Sequence, residues 1–274
     1  MDIKDLNPQS ARMIYNEQNE SCQLTVYENE QYRWLSFDNH QPHSAMPIRK
    51  PWQVVLPYYP VLLSSLLFQP NPGSMLMIGL GGGDLLRFYH HYLPQCRLQA
   101  VEISQLVINV FTDYFQDSNS LLNSLAIQQA DVCDFLGKPD DSEFDSVYLD
   151  VYGASSLPGC FYNKNFYCNL SRLISEKGVV AVNFVVDDES DALRLMQLMY
   201  EGFEQHILCL SVGEYMNLVV LGFKQDPLTL CWEELHNGIR SLSERFEMDY
   251  NNLLINLIQN NPHMADKLRE RFLE

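Results

Sequence analysis

Residues 75–87 read MLMIGLGGGDLLR: an apolar run, four glycines within five positions, then a helical pattern. No other feature of the chain limits its fold as strongly. Glycines remove the Cβ atoms that keep a ligand away from the backbone, and the helix that follows offers free N–H groups and the positive end of its dipole. The spacing of Gly79, Gly81 and Gly83 suits nucleosides of the S-adenosylmethionine type, whereas a dinucleotide G-x-G-x-x-G would need glycine where Asp84 stands. A tight strand-to-helix turn with no ligand uses the same glycines, so the loop alone does not decide the matter.

The flanking periodicity supplies the architecture. Strand patterns over 75–79, 98–102, 126–129, 146–150 and 179–184 alternate with helical patterns over 84–92, 104–115, 162–173 and 190–200. That alternation predicts an α/β fold, a mostly parallel sheet with helices on both faces. Two further strand runs, 205–210 and 218–223, are joined by a short polar link and read as an antiparallel edge hairpin. Such an ending is common in Rossmann-like sheets of the S-adenosylmethionine-dependent-methyltransferase-like type, by fold analogy. Before the loop, 23–27 and 32–37 alternate apolar and polar residues and predict an antiparallel pair, and 52–68 reads as a buried helix with prolines near its first turn. The QPNPG turn at 69–73 is the natural boundary. The expected division is a small N-terminal β-rich module with a linker helix over 1–70, a nucleoside-binding α/β domain over 71–225 and a C-terminal helical extension over 226–274. No internal repeat is visible.

Composition excludes several functions. Hydrophobic residues at 46% and charged residues at 19% are globular values, not those of a disordered tail. Eighteen Lys plus Arg against 35 Asp plus Glu leave a charge of −17, which repels a phosphate backbone, so nucleic acid is not expected as a partner. The longest apolar stretch, 54–68, is broken by Pro57 and Pro60 and falls short of the ~18 residues a membrane span needs. No basic and apolar leader is visible at the N-terminus, so the expected address is cytoplasmic. Seven scattered cysteines without a Cys-x-x-Cys pair read as reduced, with no zinc site and no disulfide framework. His90 and His91 have no second ligand pair at metal spacing; no metal and no prosthetic group are expected.

The chemistry-bearing residues stand at strand ends. Glu102, nineteen positions after Gly83, ends the second strand of the α/β series, where its two oxygens can accept from two ribose hydroxyls; an acid favoured there by a helix dipole is the plainer reading. Asp131, just past the third strand, can accept from an adenine amine or cap a helix, or do both. Ile103 and Val132 adjoin these two acids and are assigned to the same nucleoside site, as is Gly82 with the rest of the loop. Asp150 ends the fourth strand, and carboxyl ends of parallel strands border the ligand crevice, so a carboxylate there can act as general base toward an amine; a structural cap is the alternative. Tyr152, two residues on, is the aromatic residue expected beside the ligand.

At these residues the sequence resembles the spermidine/spermine synthase family, the polyamine aminopropyltransferases, and in particular its bacterial spermidine-synthase-like members. The resemblance spans roughly 32–223 and is carried by the loop 79–87, by AVEI at 100–103, by Ala130-Asp131, by LDVY at 149–152, by KGVVAVN at 177–183 and, upstream, by HSAM at 43–46. It implies a small β-module before a methyltransferase-like domain, a homodimer or tetramer, and a place in polyamine biosynthesis. It implies that Glu102 holds the ribose, Asp131 the adenine, the glycine loop the methionine-derived arm, and that Asp150 deprotonates the amine. The implied co-substrate is decarboxylated S-adenosylmethionine, or S-adenosylmethionine itself, with a small amine or other small molecule as acceptor.

Departures from the family pattern qualify the substrate. The family's loop aspartate aligns with Gly82, its second aspartate after the catalytic one aligns with Gly153, and 39–83 contains no acid at all. Burying a dication without partnered carboxylates costs several kcal/mol per charge. Putrescine and spermidine are therefore expected to be poor acceptors, and a less charged amine, or none, to be the real one. The functions that follow are aminopropyl or related group transfer, methyl transfer on the same fold, and nucleoside binding without turnover.

Overall fold

The computed structural model describes residues 5–18, 23–38, 41–116, 119–137, 143–151, 157–185, 188–213, 215–227 and 238–266. A four-stranded antiparallel sheet comes first, in the order β1 (Arg12–Gln18), β2 (Gln23–Glu28), β3 (Tyr32–Phe37), β4 (Pro42–Pro47). The expected pair β2–β3 is its centre, and both faces of the pair are covered: Leu24, Thr25, Val26 and Tyr27 are buried in succession, as are Trp34, Leu35 and Ser36. β1 is largely exposed and polar, and β4 is framed by prolines, so neither announces itself by pattern.

The linker differs from the expected helix over 52–68. Only Tyr58–Leu62 (α1) is α-helical, capped by Pro57, and the chain then tightens into a 3-10 turn over Leu63–Leu67. Pro60 has no N–H to donate to residue 56, so a helix cannot extend back through it to Trp52.

The second sheet has seven strands in the order β10-β11-β9-β8-β5-β6-β7. In chain order its elements are β5 (Ser74–Ile78), α2 (Asp84–Tyr92), β6 (Arg97–Glu102), α3 (Gln105–Val110) running into a π-turn at Phe111–Phe115, α4 (Asn119–Ser124), β7 (Leu125–Gln129), α5 (Val132–Gly137), β8 (Phe144–Leu149), α6 (Lys164–Arg172), β9 (Ile174–Val185), α7 (Glu189–Gly202), β10 (Ile207–Ser211) and β11 (Asn217–Phe223). β5 through β9 pair in parallel, while β11 runs antiparallel to both β9 and β10. β5 is buried at every residue, as a central parallel strand covered on both faces must be. Met75 and Met77 enter one core with Leu85, Phe88 and Tyr89 of α2, and Leu76 and Ile78 enter the other with residues of α5, α6 and α7.

Two helices follow, α8 (Gly238–Phe246) and α9 (Tyr250–Asn260). α9 lies along β10, the outermost strand. Asn261 exchanges two hydrogen bonds with the backbone of Cys209, at 3.0 and 2.8 Å, and Asn256 does the same with Ser211, at 3.3 and 2.7 Å. No helix among the described residues is long and apolar enough to cross a membrane.

The cysteines depart from expectation. Cys133 and Cys160 form a disulfide, with Cα atoms 5.9 Å apart. Folding brings them together from 27 positions apart, a tertiary proximity that no local Cys motif encodes. Cys96, Cys168 and Cys209 are free, and Cys22 and Cys231 lie outside the described residues.

Candidate active site

Strand order makes a crevice where β5 is flanked by β6 on one side and β8 on the other, because the two crossovers leave in opposite directions there. Gly79 ends β5 at φ +90°, and its N–H donates to Val101 O at 2.9 Å. A Cβ at this position would lie 2.2 Å from the carbonyl oxygen of Asp150, so only glycine lets the ends of β5 and β8 converge. Gly81 also lines the cavity beyond.

Gly82 and Gly83 do not. The Gly82 N–H donates to Ser44 Oγ at 2.8 Å, and a Cβ on Gly83 would enter the Phe111 ring at 2.3 Å. Of the four glycines assigned to the nucleoside, two reach the cavity wall and two pack backward, against β4 and the end of α3.

Asp84 explains that backward packing. Buried in the first turn of α2, it accepts from the Ser44 hydroxyl and from Ala45 N, and it pairs with the equally buried Arg87 at 3.3 Å. Arg87 in turn donates to the carbonyls of Gly82, Phe115 and Pro51. Burial raises the Asp84 carboxyl and Arg87 opposes the rise. Asp84 therefore joins the first sheet to the glycine loop and is not available to replace a carboxylate missing from position 82.

The cavity encloses about 1030 Å³ along the carboxyl ends of the strands. Glu102, Ile103, Asp131 and Val132 line one end. Glu102 is buried; its Oε2 accepts from Leu80 N and its Oε1 from Ser104 N, each at 2.9 Å. Burial raises its carboxyl, and these backbone donors hold the rise in check. The backbone of Ile103 and Gly81 adds to this stabilisation of the carboxylate. Asp131 Oδ1 accepts from Cys133 N at 2.7 Å at the start of α5, so it serves as a cap while lining the cavity. Ile103, 60% exposed, leaves an apolar surface beside it.

Asp150 lies toward the other end, partly buried. Its Oδ1 accepts from Asn183 Nδ2 at 2.8 Å, and Asn217 Nδ2 donates to Asn183 Oδ1 at 3.0 Å, so the two amides fix one carboxylate oxygen from behind. Burial pushes the Asp150 carboxyl from 3.8 up to about 6; the Asn183 bond opposes this, the negative charge of Asp84 adds to it, and the Tyr58 hydroxyl opposes it. The Tyr58 hydroxyl donates its one proton to His43 O at 3.0 Å, and burial lowers the His43 imidazole. Asn183 and His43 fall in the segments 177–183 and 43–46 that carry the resemblance, but none of Asn183, Asn217, Tyr58 and His43 was given a role in the site from sequence. Asn183 had a signal: it is the polar residue inside the apolar run VVAVNFV of β9. Tyr152 lies outside the described residues. Among the described residues no three His, Cys, Asp or Glu side chains are grouped to hold a metal ion.

A sheet of this order, with a glycine turn at its reversal and a carboxylate across from it, defines a methyltransferase-like α/β protein preceded by an antiparallel module. Within that class the chain is similar in sequence to curated polyamine aminopropyltransferases. It is 27% identical over 246 residues to the polyamine aminopropyltransferase of Chromobacterium violaceum, covering 90% of this chain and 93% of that one. It is 31% identical over 207 residues to the eEF1A lysine and N-terminal methyltransferase of Xenopus laevis, which takes in 69% of this chain but only 29% of that protein. A spermidine synthase solved in complex with the transition-state analogue AdoDATO shares the fold, at a TM-score of 0.65 and 18% identity over 94% of this chain and 88% of that one. No family model matches the chain.

Proposed function

We propose that the protein is a transferase that moves an aminopropyl or related group from an adenosyl sulfonium donor to an amine. The observation that carries this reading is Asp150: a desolvated carboxylate, one oxygen fixed by Asn183, sharing one cavity with Glu102 and Asp131. In the proposed reaction Glu102 receives the ribose hydroxyls, Asp131 the adenine amine, and Ile103 and Val132 the faces of the base. The amine lone pair forms a bond to the carbon beside the sulfonium, the C–S bond breaks, and its electrons neutralise the sulfur. The proton displaced from the amine passes to the free oxygen of Asp150. The donor is decarboxylated S-adenosylmethionine, a co-substrate, and the expected assembly is a homodimer.

A base with its carboxyl near 6 is protonated in the window from pH 4 to 6, where an ordinary Asp is already ionised. The kcat/KM should therefore fall as pH drops through about 6, since this ratio reports the free enzyme. A profile flat from pH 5 to 7.5 would contradict the assignment.

The acceptor is a less charged amine than putrescine. Among the described residues that line the cavity, Asp150 is the carboxylate remaining once Glu102 and Asp131 are committed to the nucleoside. Putrescine turnover should fall below a kcat/KM of about 10⁴ M⁻¹s⁻¹, a value ordinary for an enzyme on its own substrate. Steady-state assays with putrescine and with simple monoamines measure this directly.

Methyl transfer from intact S-adenosylmethionine is the second reading, favoured by the match to the Xenopus methyltransferase. Calorimetry with S-adenosylmethionine, its decarboxylated form and methylthioadenosine, each with and without putrescine, separates the two readings. Nucleoside binding with no turnover of any amine would leave a non-catalytic relative.

A further inference from the structure

The disulfide between Cys133 and Cys160 joins two walls of one cavity. Cys133 directly follows Val132, which lines the nucleoside end, and its own N–H is the donor that holds Asp131. Cys160 stands two residues after Pro158, which with Leu157 lines the same cavity. Local bonds shape that second wall, Phe161 N to Pro158 O at 3.0 Å and Asn163 N to Cys160 O at 3.1 Å. Between the two cysteines runs β8 with Asp150 just past its end, so the strand that delivers the carboxylate is part of the covalent ring the bond closes.

Both cysteines are partly buried rather than enclosed in the core. Cys96 and Cys209 are different: burial pushes their thiols up to about 12 and about 11, which leaves almost no thiolate at neutral pH to take part in exchange.

We propose that Cys133 and Cys160 are a reversible clamp whose thiol–disulfide state sets the affinity of the cavity for its adenosyl ligand. The proposal rests on the nucleoside reading of this end of the cavity. The oxidant is a low-molecular-weight disulfide of the glutathione type. One cysteine thiolate attacks it and releases a first small thiolate; the second cysteine thiolate attacks the resulting mixed disulfide, forming the protein S–S bond and releasing another. The two protons lost by the cysteines end on the two small thiols, and two electrons pass to the oxidant. In the oxidised form the walls are held in place before the ligand arrives, so less freedom is lost on binding.

The test uses the wild-type chain equilibrated in reducing and in oxidising glutathione buffers, with the 133–160 linkage read by peptide mass after alkylation. Methylthioadenosine is expected to bind about tenfold more weakly to the reduced form. Cys160→Ser should bind like the reduced form and ignore the buffer. Amide hydrogen exchange over 131–137 and 157–163 should be slower in the oxidised form, a readout independent of any ligand. Free thiols at both positions in the oxidising buffer, or equal exchange and equal affinity in the two states, would overturn the clamp. Redox-dependent exchange with no nucleoside bound in either state would uphold the clamp and overturn the ligand assignment instead.

Discussion

Asp150→Asn is expected to lower amine-transfer turnover by about 100-fold or more while methylthioadenosine affinity stays nearly unchanged. The substitution is close to isosteric, and the side-chain oxygen of asparagine can still accept from Asn183 Nδ2, so the amide pair behind it stays in register. What disappears is the second oxygen's ability to take a proton. The acid limb of the pH profile near 6 should vanish with it, because the group whose carboxyl is raised there is gone. A variant that loses nucleoside affinity as steeply as turnover would show Asp150 to be a structural residue.

The second large effect belongs to Glu102. Replacing it by alanine should weaken methylthioadenosine by about 10- to 150-fold, the equivalent of one charge-assisted hydrogen bond at roughly 1.5 to 3 kcal/mol. Leu80 N and Ser104 N also lose their acceptor, so the variant is destabilised as well and must be shown to be folded before its affinity is read. Glu102→Gln separates the two effects, since its remaining oxygen serves one of these donors without charge. Calorimetry on a folded variant with unchanged affinity would remove Glu102 from the site. Binding of NAD but of no adenosyl-sulfur compound by the wild type would point instead to a dehydrogenase.

What was legible in the sequence was local and periodic. The helix over 84–92 and the strand runs around it follow from glycine-to-helix punctuation and from apolar runs that only a parallel sheet buries on both faces. Unreadable features had causes distant in the chain. β4 exists because β3 pairs with it and because Asp84, 39 positions on, accepts from Ala45 N. Asp84 is likewise claimed by Ser44, 40 positions earlier, as well as by Arg87 on its own helix. The same distance hid the Cys133–Cys160 bond and the chain of amides from Asn217 through Asn183 to Asp150. Strand-end carboxylates could be found by position alone; the neutral residues that orient them could not, since an asparagine in an apolar strand states no partner.

Asn256 and Asn261 give the order of synthesis a physical meaning. Each offers one donor and one acceptor to β10, so that two side chains stand in for the strand that would otherwise continue the sheet. A second copy of the chain therefore finds no vacant ladder at Cys209 or Ser211 in the folded molecule, and growth of the sheet through those positions is closed. The closure arrives late. β10 joins the sheet only through β11, which ends at Phe223, and Asn261 is made 38 residues after that, roughly 2 to 8 s at ordinary elongation rates in which the side chains that close the border are not yet in place.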